Sequence, residues 1–478
     1  MGHATTSRPR LTFAVLCVGT TSYSLMQAFV LPVLPLVERH FHTSTGTVSW
    51  VMTAYLLSAS ISTPILGRLG DLVGKERVLV VCLAMLGLGT IVCGLAPNIG
   101  VFLGGRLIQG LGGAVFPLAF GIIRDEFPAE RIAGAIGTVS SLLAAGAGLG
   151  VVLAGPLTTH LGFSWLFWLP LVPITSAVVA THLYIPESPV RATGRISLLP
   201  GLALSAWLIA LLLGVSEGPA WGWTSGRVLV LLAAFVVTFI AWIAVELRAD
   251  EPLIDMRMMR VPAVFRANIV ALLFGAVLYS FAILTPSFLQ APVSAGYGFH
   301  LSVTMSGLYQ SPNCIATFVL GFLVGRLTLR FGSKGVTVIG GLLATAAYAF
   351  IAPFHGQLAL VCFFSTLFGM GSSLAFAALS TLVVEAVHAD QTGVASGMNA
   401  NIRTIGGAIG TTIATVILTA GTHADQLPHE SGYVRAYGAL AVAGLLSIIA
   451  ALTVPTRKAD EPFVRAATYQ PEPAMADA

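Results

Sequence analysis

The sequence predicts an all-α polytopic membrane protein of fourteen transmembrane helices, built as two six-helix bundles with two inserted central helices. Three observations carry that prediction. Mean hydropathy is +0.88 and 56% of the 478 residues are apolar, more than a soluble surface can hide. Asp, Glu, Lys and Arg together make up 9% of the chain, where globular domains carry about 25%. The charge-free stretches are also long enough to span a bilayer, which takes about 20 residues. These properties exclude a cytosolic enzyme, a disordered chain and a nucleic-acid binder. Cys17, Cys82, Cys93, Cys314 and Cys362 all lie in apolar stretches without metal-ligand or disulfide spacing, so no cofactor or metal is implied.

In chain order, the charge-free stretches run 11–37, 40–67, 78–105, 107–123, 132–186, 196–216, 228–245, 267–325, 335–384, 404–424 and 436–456. The first lacks a small-residue cleavage site, so it reads as an uncleaved helix rather than a signal peptide. Pro97-Asn98 separates the third span from the fourth and leaves Arg106 inside the fourth. Three stretches hold two spans each. Their turns fall at 158–162, at 290–298 and at Pro353-Phe354-His355-Gly356. The total is fourteen.

Basic residues test this count, because Lys and Arg collect on the cytoplasmic side. With the N-terminus inside, twenty of them, Arg403 included, fall in cytoplasmic loops and tails. Arg39, Arg227 and Arg435 fall outside, and Arg106 is intramembrane. A miscounted helix would invert every later loop, so both termini are placed in the cytoplasm.

The two halves echo each other. Gly67-Arg68-Leu69 with Gly74-Lys75 recurs as Gly325-Arg326-Leu327 with Gly332, and Gly146-xxx-Gly150 recurs as Gly406-xxx-Gly410. Repeated halves around a midplane site are an architecture of alternating-access transporters. The expected division is an N-terminal bundle over 1–190, two inserted helices and a loop over 191–260, a C-terminal bundle over 261–457 and a cytoplasmic tail over 458–478.

Enzyme motifs fail on context. Gly214-Val215-Ser216-Glu217-Gly218 matches a nucleophile elbow, which requires a strand-to-helix turn and a partner His; here it ends an apolar helix. Gly74-Lys75 resembles the end of a phosphate loop, but Glu76 follows where Ser or Thr is needed, and position 69 is Leu. No ATP site is expected, so active transport would draw on an ion gradient.

Residues with physical reasons to act are few. Asp71 is an acid inside a basic loop. It can sit at the positive end of a second-half helix and pair with Arg124 or Lys75 as a latch; alternatively these charges only fix topology. Gly67 and Gly74 permit close approach and a tight turn. Arg106 at a helix centre costs about 2.5–3.5 kcal/mol on insertion scales, so it should face a cavity or a partner. Gln109 shares its face. The alternative is a structural Arg bonded to carbonyls of the first span. Small residues at Gly146, Gly150 and Gly155 would let the halves pack closely and rock. Gln27, Trp50, Tyr55, Gln310, Asn313 and Asn399 are candidate cavity linings or, equally, interhelical hydrogen bonds.

Gly67-Arg-Leu-Gly-Asp71-Leu-Val-Gly74-Lys75-Glu-Arg77 resembles the signature loop of the major facilitator superfamily, and Arg106-Leu-Ile-Gln109-Gly110-Leu-Gly-Gly113 resembles its helix-4 motif. Gly146 to Pro156, Glu217 to Trp223, Glu251 to Asp255 and Gln391 to Asn399 resemble its fourteen-helix drug:proton antiporter branch. The resemblance spans about 11–456. It implies proton-driven efflux of amphipathic organic compounds, antibiotics included, across a bacterial inner membrane, with a role for Arg106 in substrate or proton handling. The alternatives are a dedicated exporter or importer of one metabolite, or a transporter-like sensor. One departure matters. The branch carries an Asp in its first helix where Met26 stands here, which points to neutral or anionic substrates.

Overall fold

The computed structural model describes residues 9–30, 33–43, 45–188, 192, 197–249, 252–420 and 428–455. The 458–478 tail and the 190/191 boundary lie outside the described residues, and Gly155 is described only as backbone. The described residues are almost all helical: α1 (Pro9–Val30), α2 (Leu34–His40), α3 (Thr45–Val73), α4 (Lys75–Gly94), α5 (Ile99–Gly110), α6 (Val115–Glu126), α7 (Ala129–His160) and α8 (Trp165–Tyr184) form the first half. The pair α9 (Leu198–Trp221) and α10 (Gly226–Arg248) follows, then α11 (Met256–Arg260), α12 (Pro262–Gln290), α13 (Val303–Tyr309), α14 (Ser311–Ile351), α15 (Leu358–Ala386), α16 (Thr392–Thr419) and α17 (Glu430–Thr453).

Local chemistry sets the helix ends. Asn98 accepts from the Val101 amide at 3.0 Å to start α5, and Ser302 accepts from Met305 at 3.2 Å to start α13. The expected turns at 158–162, 290–298 and 353–356 all separate helices. Proline breaks what the sequence reads as one first span: α2 begins at Leu34-Pro35, with the proline in its first turn, where its missing N–H costs nothing. Gly332, at φ 72°, bends the 41-residue α14 into two arms, and Gly74, at φ 127°, makes the matching corner between α3 and α4. Both angles lie where a Cβ is strained. Buried hydroxyls such as Thr20, Thr90, Thr337 and Thr381 donate to the carbonyl four residues back, which satisfies them without a partner helix.

Among the described residues, twelve segments are long and apolar enough to cross a bilayer. One of them, Thr304–Ile351, contains the Gly332 bend. The 32-residue α7 lies outside that apolar set. Each half has its own core, around Phe29, Phe102 and Phe167 in the first and Phe281, Tyr348 and Phe368 in the second. Helix α9 packs against α3 and α16 and so touches both halves. Only 11% of the apolar window of α10 is buried, against 83% for α15, which places α10 at the lipid and α15 inside. Ser216 lies within α9 and shares a hydrogen bond with Thr53 at 3.1 Å, so the Gly214–Gly218 motif is helical and forms no nucleophile elbow.

Glycines draw the helices together, but not where the sequence suggested. A Cβ on Gly146 would lie 2.6 Å from Ser24 Oγ, and one on Gly150 2.5 Å from Ala28 Cβ. These glycines therefore seam α7 to α1 within the first half. Gly406 and Gly410 meet Leu272 and Ala276 in the same way within the second. The halves approach each other nearer the start of α7: a Cβ on Gly325 would stand 2.4 Å from Gly134 Cα, and one on Gly321 1.8 Å from Ser141 Cβ.

Candidate functional site

The end of the bundle that carries the α3–α4 corner is where the halves lock. Asp71 is fully buried, and its Oδ1 and Oδ2 accept from the amides of Gly393 and Val394 at 3.1 and 3.0 Å. Those amides are free N–H groups of the first turn of α16, where the helix dipole favours an anion. The approach is backbone to backbone, since a Cβ on Gly67 would meet Gly393 O at 2.6 Å and one on Gly393 would meet Gly67 O at 2.5 Å.

Of the two partners expected for Asp71, Lys75 lies 3.8 Å away but is held more closely by Asp125, at 2.7 Å. Ser188 Oγ donates to the same Asp125 oxygen at 2.5 Å, and its amide donates to Glu76 at 2.9 Å. These bonds all lie within the first half. Arg124 instead reaches the other half, donating to Val387 O at 2.6 Å, to Thr392 Oγ1 at 2.9 Å and to His388 O at 3.4 Å. It thus caps the carbonyl end of α15 while Asp71 caps the amide end of α16.

Arg106 is fully buried. Its Nε donates to Val51 O at 3.1 Å, one NH donates to Gln109 Oε1 at 2.6 Å, and the guanidinium stacks 4.4 Å from the centre of the Tyr55 ring. Gln109 in turn donates to Thr90 at 2.9 Å, and Tyr55 donates to Tyr23 at 2.6 Å. The carbonyl belongs to α3, not to the first span. A second terminal NH2 of Arg106 is buried without a hydrogen-bond partner.

A cavity lies between the halves, with Tyr23, Gln27, Tyr55 and Phe116 on one wall and Tyr279, Phe376, Asn401 and Arg403 on the other. Its room is about 80 Å³, the share of two or three waters and well below the roughly 300–1,000 Å³ of a drug-sized site. Arg106 stands behind Tyr55 and does not line it. Gln27 and Tyr55 do, as the sequence proposed. Asn399 donates to Asn268 at 2.9 Å across α12 and α16, and Asn313 to Ser365 O at 2.7 Å across α14 and α15. Gln310 bonds Ser306 O of its own segment at 3.4 Å, and Trp50 is half-buried away from the cavity. Met26 is 1% exposed and belongs to the first core.

Arg403 corrects the sequence reading. It is no loop residue: it lies inside α16, buried, with its guanidinium 4.1 Å from the Phe376 ring centre. The available signal was the repeat. Gly146 lies 17 residues after the start of α7 at Ala129, and the same register before Gly406 starts a helix near 389, well ahead of Arg403.

The sequence profile described as the Major Facilitator Superfamily matches residues 16–411. The chain belongs to the Major Facilitator Superfamily. It is a membrane transporter and not an enzyme. Its facilitator relatives include the tetracenomycin C resistance and export protein of Streptomyces glaucescens, 26% identical over 86% of this chain and 76% of that one. The multidrug resistance protein Stp of Mycobacterium tuberculosis is 31% identical over 83% and 73%. The facilitator fold is shared with the human organic anion transporter MFSD10, at TM-score 0.68 and 17% identity, over 93% of this chain and 100% of that one.

Proposed function

We propose that this facilitator exports amphipathic organic compounds across the bacterial plasma membrane in exchange for protons, by alternating access. The observation that carries the reading is the cavity between the halves, contracted and closed at one end by a few breakable contacts: Asp71 on α16, Arg124 on α15 and Gly67 against Gly393. Release of those contacts would widen the cavity toward that end, and the seam at Gly134 and Gly325 would part with them. Relatives named for multidrug resistance and for tetracenomycin export support the direction.

In this reading the latch end is cytoplasmic, as are both termini. Counting α14 as two crossings and adding α7 brings the twelve apolar segments to fourteen. With Arg403 moved into the membrane, nineteen basic residues remain cytoplasmic against three outside, and the positive-inside bias persists. The bundles divide near 190 and 260, with α9 and α10 between them.

The test is growth of a pump-deleted host on a panel of antibiotics and dyes, with and without this protein, alongside proton-driven uptake into inverted vesicles. Protection against several unrelated compounds supports export. Protection against none, with uptake of a single metabolite, would replace it with a dedicated carrier.

A further inference from the structure

Two arginines lie at the level of the cavity, and they differ in what surrounds them. Arg106 is sealed behind Tyr55 and bonded to Val51 and Gln109. Arg403 lines the cavity, and its contacts are the Phe376 ring at 4.1 Å and a long bond to Asn399 Oδ1 at 3.5 Å. Among the described residues no Asp or Glu lines the cavity. A buried guanidinium without a carboxylate carries a desolvation cost of several kcal/mol, and in a membrane such a charge marks a substrate path. Its backbone is fixed by tight packing, since a Cβ on Gly275 of α12 would stand 2.1 Å from Arg403 O.

A second unmet group lines the same cavity. Asn401 Nδ2 donates to Ser60 O at 2.9 Å, while its Oδ1 is buried with no hydrogen-bond partner. The cavity therefore offers a cationic fork, a free acceptor two residues away and aromatic walls.

Resting on the export reading, we propose that Arg403 is the counter-charge for an anionic group on the transported compound, with Asn401 Oδ1 accepting a hydrogen bond from a hydroxyl or N–H near that group. The cargo class is then flat aromatic acids and phenolates carrying a neighbouring donor. The guanidinium fork suits a carboxylate bidentately, and the tyrosines stack on the ring body. An organic cation meets a like charge with nothing to offset it.

The experiment uses the full-length protein in nanodiscs and two xanthene dyes of similar size and opposite charge, fluorescein and rhodamine 123, with binding read by fluorescence polarisation. Fluorescein is expected to bind about tenfold or more tightly than rhodamine 123. Arg403→Gln should cut that preference by about tenfold, and Arg403→Lys, which keeps the charge and loses the fork, by about threefold. Equal binding of the two dyes to the wild type, no binding of fluorescein, or an unchanged preference in Arg403→Gln overturns the proposal. Should Arg403→Gln fail to reach the membrane, the wild-type preference and Arg403→Lys decide it. Inverted vesicles separate this from export. Rhodamine 123 accumulation without fluorescein keeps export and overturns the charge assignment. Fluorescein binding through Arg403 with accumulation of neither dye keeps the assignment and removes export.

Discussion

Asp71→Asn keeps the shape of the side chain and removes its charge. The carboxylate now accepts two backbone N–H groups, from Gly393 and Val394. An amide offers one oxygen, so its NH2 must face the second N–H. The loss is one charge-assisted bond, roughly 1.5–3 kcal/mol, plus an anion at a helix N-terminus, worth up to about 2 kcal/mol when partly buried. Lys75 keeps Asp125 at 2.7 Å, so no cation is orphaned. The closed latch should weaken by about 3 kcal/mol, about a hundredfold in its equilibrium with the open form. Spin labels on cysteines placed at Val73 and His388, both exposed, in a background without the five native cysteines, read the distance across the latch. The variant should insert normally, show a second and longer distance, and export slowly. Unchanged distances together with wild-type export would leave Asp71 as a topological charge only.

Other substitutions separate the latch from the bundles. Gly67→Ala drives a methyl toward the Gly393 carbonyl at 2.6 Å, so it should lengthen the same label distance; an unchanged distance removes the backbone contact from the latch. Gly146→Leu overpacks α7 against Ser24 within the first half, at about 1–3 kcal/mol. It should lower the melting temperature in detergent and leave the label distance alone, and the reverse pattern would return this glycine to the seam between the halves. Arg106→Ala strips Val51 O and Gln109 of their donor and should abolish dye efflux, while Arg106→Lys should keep part of it; normal efflux in the Ala variant makes Arg106 dispensable.

Periodic and punctuating features were legible in the sequence because they act locally. Pro97-Asn98, Pro353 to Gly356 and the paired corners at Gly74 and Gly332 fall where the chain turns. Asp71 could be matched to a helix start because an acid among basic residues has few places to rest. Arg403 was lost to the rule that found the spans. A search for charge-free stretches expels every intramembrane charge by construction, and Arg106 escaped only because a proline fixed the helix start ahead of it. The role of Gly146 and Gly150 was also hidden, since small residues permit close packing without saying which helix arrives. Asn313 and Asn399 show the same ambiguity: an amide in a span bonds a neighbour as readily as it faces a cavity.

The latch joins one anion to the amide end of α16 and one cation to the carbonyl end of α15, both within the short stretch from Val387 to Val394. When the halves part, Asp71 and Arg124 travel with the same body through the same electric field. Moving one unit charge across 100 mV involves about 2.3 kcal/mol, but a positive and a negative charge moving together cancel. The latch pair itself therefore adds little net gating charge when this end opens. The membrane voltage then acts on the buried Arg106 and Arg403 and on the cargo, so the voltage dependence of transport should report those charges rather than that of the latch.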